Sequence, residues 1–154
     1  MYRRIIVLVI FLFFTLTGCS KNGMAGTDPP DVMIQIGKET YETKLGSYCW
    51  SSNNHGKCVD IAGPVELLKG KNPIEIKPGK AVTFKMNYSP KPDEFDVMQI
   101  INNKETKIPF DKGSFTAPTQ KGIYYYSVSV WWMDKKDKNI SKGDASYVFA
   151  LEVK

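Results

Sequence analysis

Three residues in one short stretch have types that could do chemistry together. Cys49, His55 and Cys58 fall within ten residues, and two thiolates with an imidazole make a metal-ligand set with an open fourth position. No further thiol or carboxylate pair stands nearby to complete it, and His55 is the only histidine in the chain. A bond between the two sulfurs is the simpler alternative. The intervening residues include Asn53, Asn54 and Gly56, which tolerate turn geometry. Cys49 and Cys58 can therefore face one another across a hairpin or tight loop, and closing so short a loop contributes ~2–3 kcal/mol. The reading adopted is a disulfide beside a loop histidine, with no metal.

Other reactive constellations are weak. A single histidine argues against a histidine-based triad. Asp93, Glu94 and Asp96 cluster beside Pro92 and read as a solvated turn. Asp134, Asp137, Asn139 and Asp144 do not match the ligand spacing of a calcium loop, and Lys135, Lys136, Lys138 and Lys142 share their segment. No glycine-rich phosphate loop is visible. The chain is read as a non-enzyme without a cofactor. Its better lead is aromatic. Between Ile123 and Met133, Tyr124, Tyr126, Val128, Val130 and Trp132 alternate with Tyr125, Ser127, Ser129 and Trp131. The first set is the expected core face. On the other, Trp131 and Tyr125 stand among hydroxyls and are the candidate binding residues for a sugar, a peptide or a protein partner. The competing reading is that a loop or a neighbouring strand covers them.

The N-terminus sets the expected compartment. Arg3 and Arg4 precede an apolar run from Ile5 to Phe14, and Thr17-Gly18-Cys19 follows. This is the layout of a secretory signal, and it is shorter than the ~20 apolar residues that a membrane-spanning helix requires. Leu16-Thr17-Gly18-Cys19 resembles the lipobox of bacterial lipoproteins. That resemblance implies lipid attachment to Cys19, cleavage before it, and residence on the outer face of the cell membrane. Residues 1–18 are then the signal, and two acyl chains on Cys19 give a stable anchor. Residues 19–30, rich in Gly, Ser, Asn, Asp and Pro, read as a flexible tether, and residues 31–154 as the folded domain.

Cleavage would leave 19 basic against 16 acidic side chains, a net charge of +3. Such a modest excess suits a solvated surface near anionic headgroups or wall polymers and does not suggest nucleic acid. With Cys19 set aside, Cys49 and Cys58 form a pair in an oxidising compartment, where disulfides persist.

The elements that must position these residues are short strands separated by turn signals. Expected strands cover 32–36, 39–44, 47–50, 57–60, 81–88, 95–101, 123–133 and 145–153. Gly63 to Gly70 is the only helical candidate, limited to one or two turns. Strands at this spacing without long helices imply a sandwich or barrel. Gly122-Ile123-Tyr124-Tyr125-Tyr126 resembles the tyrosine corner of immunoglobulin-like domains, with Tyr124 at the corner and Tyr126 where antibody domains carry their second inter-sheet cysteine. The expected fold is an all-β, immunoglobulin-like sandwich. Gly46-Ser47-Tyr48-Cys49-Trp50, Cys58-Val59-Asp60, Phe115-Thr116-Ala117-Pro118 and Gly122-Ile123-Tyr124 are together similar to small lipoproteins of Bacillus-type bacteria, a resemblance that carries no activity.

These readings converge on a lipid-anchored, non-catalytic binding or accessory module of the cell envelope, with an envelope protein, a wall polymer or a small ligand as partner. A structural lipoprotein that stabilises an envelope complex is the alternative. An enzyme or metal carrier using His55 ranks below both.

Overall fold

A computed structural model describes residues 24–52 and 55–154. Its strands are β1 (Val32–Ile36), β2 (Glu39–Glu42), β3 (Lys44–Ser52), β4 (His55–Val59), β5 (Ile74–Ile76), β6 (Ala81–Met86), β7 (Glu94–Ile101), β8 (Lys104–Lys107), β9 (Ser114–Thr116), β10 (Gly122–Met133) and β11 (Ser141–Val153). Among the described residues one short helix, α1 (Pro64–Leu67), has Gly63 as its N-cap and proline in its first turn, where a missing N–H costs nothing. The signal and lipid-attachment expectations for residues 1–18 and Cys19 lie outside the described residues.

The strands form an all-β sandwich of two sheets. The smaller has the order β2-β1-β6-β9; the larger runs β4-β3-β11-β10-β7-β8, with β5 added parallel to β11. Alternation along β10 is the clearest cause of this layering. Tyr124, Tyr126, Val128, Val130 and Trp132 are each at most 4% exposed, while the residues between them are half-buried or exposed. Val32, Ile34, Val82 and Met86 of the smaller sheet close on this face. Tyr126 stacks on Phe149 and lies against Phe115, filling the middle of the core. At one end, Trp50 and Trp132 meet edge-to-face at 5.0 Å, and Tyr88 packs on both. Gly143 makes that approach possible, because a Cβ there would lie 2.7 Å from the Trp50 ring. Between β7 and β8, Asn102 and Asn103 both take positive φ, the signature of a two-residue primed turn.

Residues 24–30 correct the expected tether. Met24 is 6% exposed and its N–H donates to Ser51 O at 2.8 Å. Trp50 Nε1 donates to Gly26 O at 3.3 Å, the Tyr88 hydroxyl to Ala25 O at 3.0 Å, and the Tyr147 hydroxyl to Pro30 O at 2.8 Å. Asp28 accepts from the Tyr48 hydroxyl at 2.8 Å and from Lys57 Nζ at 2.6 Å. This segment is a strap rather than a free linker. Tyrosine and tryptophan bodies in the core place polar tips at its rim, and such tips need acceptors; the strap's carbonyls and Asp28 supply them.

Candidate functional site

The disulfide sits within a hairpin. Cys49 and Cys58 are register partners on β3 and β4, bonded with Cα atoms 4.1 Å apart. The hairpin turn expected at Asn53-Asn54 lies outside the described residues. Because the sulfurs are bonded to each other, neither is a thiolate free to ligate a metal. His55 is exposed at the start of β4. Among the described residues no group of His, Cys, Asp or Glu is arranged to hold a metal ion.

The outer face of the larger sheet carries both candidate binding residues. Register places Tyr125 between Ile100 and Ala150, and Trp131 between Glu94 and Asp144. Six residues of strand put the two rings about 20 Å apart. The face is divided between them. The segment from Asp60 to Pro73, including α1, crosses its farther half: α1 packs on β10, Leu68 is buried and lines a hollow with Val148 and Ala150, and Pro64 and Val65 line another with Ile100. Tyr125 belongs to this covered half and is half-buried. The structure therefore does not combine Tyr125 and Trp131 in one site.

Trp131 belongs to the other half and is half-buried beside an open hollow. Ser47, Ser129, Asp144 and Ser146 line that hollow with it, in a volume of about 270 Å³. Two of the hydroxyls are committed to the fold. Ser146 Oγ donates to Ser47 O at 3.0 Å. Ser47 Oγ donates to Asp60 Oδ1 at 3.0 Å and accepts the Ile61 N–H at 2.9 Å. Asp144 Oδ1 accepts the Cys49 N–H at 3.3 Å, and burial raises its carboxyl above the usual range against the effect of that bond. Among the described residues, Asp144 Oδ2 and the Ser129 hydroxyl have no hydrogen-bond partner. The hollow thus offers an aromatic face, one free hydroxyl and one free carboxylate oxygen. Sequence reasoning singled out Trp131 by alternation. It missed Asp144 as a neighbour, because only the β10–β11 register brings the two together.

Glu94 and Asp96 lie in β7 rather than in the expected turn, and Asp96 pairs with Lys107 of β8 at 3.1 Å; Asp93, Asp134 and Asp137 serve the loops. Asp93 Oδ2 accepts the Met133 N–H at 2.8 Å. Asp134 Oδ1 accepts the Lys136 N–H at 2.6 Å and Oδ2 pairs with Lys142 at 3.0 Å, and these contacts lower its pKa to about 2. Asp137 Oδ1 accepts from the backbone and side-chain amides of Asn139. These are turn-forming bonds, not a cation shell. No helix of the described residues is long and apolar enough to cross a membrane. No protein-family model and no curated protein matches the chain.

Proposed function

We propose that the chain is a lipid-anchored binding or accessory module on the outer face of a cell membrane, attached through Cys19 and recognising its partner with the open half of the larger sheet. One observation carries the binding reading. Segment 60–73 crosses the part of that face around Ile100, Val148 and Ala150, whereas Trp131, Ser129 and the free oxygen of Asp144 remain together in an open hollow. An aromatic ring flanked by hydrogen-bonding groups favours a partner with alternating apolar and polar surface, such as a wall polymer or a protein loop. Reading the sandwich as immunoglobulin-like is supported by Tyr124, whose hydroxyl donates to Gln120 O at 2.9 Å, the bond that defines a tyrosine corner.

Two measurements test the proposal. Fatty-acid analogue labelling of intact cells is expected to mark the wild type and not Cys19→Ala; equal label on both removes the anchor. Crosslinking in intact cells is expected to lose its adducts in Trp131→Ala and keep them in Ile123→Ala, an exposed aliphatic control outside the hollow. Adducts unchanged by Trp131→Ala would place recognition elsewhere.

A further inference from the structure

Where the domain's N-terminus emerges determines which end of the sandwich an anchor at Cys19 holds to the bilayer. Met24 is fixed at the Trp50–Trp132 end. Its N–H bonds Ser51 O, close to the end of β3. Its side chain lies 3.3 Å from where a Gly143 Cβ would stand, beside the loop joining β10 to β11. Glu94, which begins β7, is the register partner of Trp131, so the connection from β6 reaches the same end. About five peptide links separate Cys19 from Met24, a span of at most about 18 Å when fully extended. Gly122 begins β10 at the opposite end, about 36 Å away at ~3.3 Å per residue.

The loop from Asp134 to Ile140 projects from the N-terminal end with surface chemistry suited to lipid. Ile140 is 54% exposed. Lys135, Lys136 and Lys138 are exposed and form no ion pair among the described residues. The acids among them are turned to other partners: Asp134 to Lys142 and the Lys136 N–H, and Asp137 to Asn139. Lysines around an exposed aliphatic side chain match the interfacial zone of a membrane containing anionic lipid.

We infer that the 134–140 loop rests on the anionic lipid surface, with Ile140 at the interface and Lys135, Lys136 and Lys138 against the headgroup phosphates. The inference builds on the proposed anchor at Cys19. It leaves the Trp131 hollow beside the contact, facing along the membrane.

The test uses the full chain, purified from cells with its N-terminus processed and checked by intact mass. Asn139→Cys and Lys121→Cys variants, each carrying a fluorophore on the added thiol, are placed in phosphatidylglycerol–phosphatidylethanolamine vesicles containing a headgroup-nitroxide lipid. Quenching at position 139 is expected to exceed that at 121 at least threefold. It is expected to fall in phosphatidylcholine vesicles and in the triple variant Lys135→Ser, Lys136→Ser, Lys138→Ser. Lipidated protein with equal quenching at both positions, or more at 121, overturns the orientation and leaves the anchor standing. Quenching at 139 that is indifferent to lipid charge and to the triple variant overturns the lysine contact. Protein of unmodified mass that does not float with vesicles overturns the anchor, and this inference with it.

Discussion

Replacing Trp132 and Trp131 separately by alanine is the sharpest test of how β10 divides its work. Trp132 is 1% exposed, meets Trp50 at 5.0 Å and Tyr88 at 5.7 Å, and donates from Nε1 to Pro90 O at 2.8 Å. Deleting a buried tryptophan costs ~3–5 kcal/mol. The stranded Pro90 carbonyl and two lost edge-to-face contacts push the value toward the upper limit, although these terms overlap and do not simply add. A domain's whole stability is on the order of 5–15 kcal/mol, so Trp132→Ala removes a third of it or more. Trp131 is half-buried on the opposite face, and its loss is expected to cost about 1 kcal/mol, typical of substitutions outside the core. Urea denaturation followed by tyrosine fluorescence and circular dichroism reads both. Equal losses for the two variants would refute the division, because Trp131 would then be a packing residue.

Three further outcomes follow from particular contacts. Double replacement of Cys49 and Cys58 by alanine is expected to lower stability by about 2.7 kcal/mol, the chain-entropy value for a loop of about ten residues; an unchanged denaturation midpoint would exclude that contribution. Gly143→Ala drives a methyl group into the Trp50 ring and is expected to cost ~1–3 kcal/mol as overpacking, which thermal unfolding would show and an unchanged melting temperature would contradict. Lys57, then Tyr48, hold the Asp28 carboxyl at about 2 from an ordinary 3.8. A depressed folded pKa means that docking of the strap is fully supported above the ordinary value and lost as pH falls through about 2. The indole N–H resonance of Trp50, bonded to Gly26 O, is expected to report that release in acid, and a resonance that does not respond to Asp28→Asn would sink the assignment.

What was legible in the sequence depended on whether its cause was local. The period-two pattern of β10 is a local property, so its buried face was readable residue by residue. The disulfide was readable because, with Cys19 set aside, two cysteines remain at a separation of nine residues, with turn formers between them that allow the cysteines to meet. β5, β8 and β9 were missed for a different reason. Ser114–Thr116 is too short to show a period. Ile74–Ile76 is three residues long and gains its identity only by pairing with β11, and Lys104–Lys107 is exposed throughout, so no hydrophobic alternation marks it. The site was half legible. Alternation put Trp131 and Tyr125 on one face, but segment 60–73 divides that face, and a crossing segment has no periodic signature.

The strap shows most clearly how composition can mislead. Gly26, Pro29 and Pro30 within a polar run read as a linker because nothing there can form a core. In the fold it packs through Met24 and Pro29 and accepts hydrogen bonds along the rest of its length. Trp50, Tyr48 and Tyr147 on the larger sheet all donate to it, and Tyr88, which follows β6 of the smaller sheet, donates to it as well. One seven-residue segment therefore laces both sheets together at the end where the Trp50–Trp132 pair would otherwise open to water. The same segment follows the anchor proposed at Cys19. Under that proposal, a pull from the lipid reaches the contacts of Met24 with Ser51 and of Gly26 with Trp50 before the Trp131 hollow.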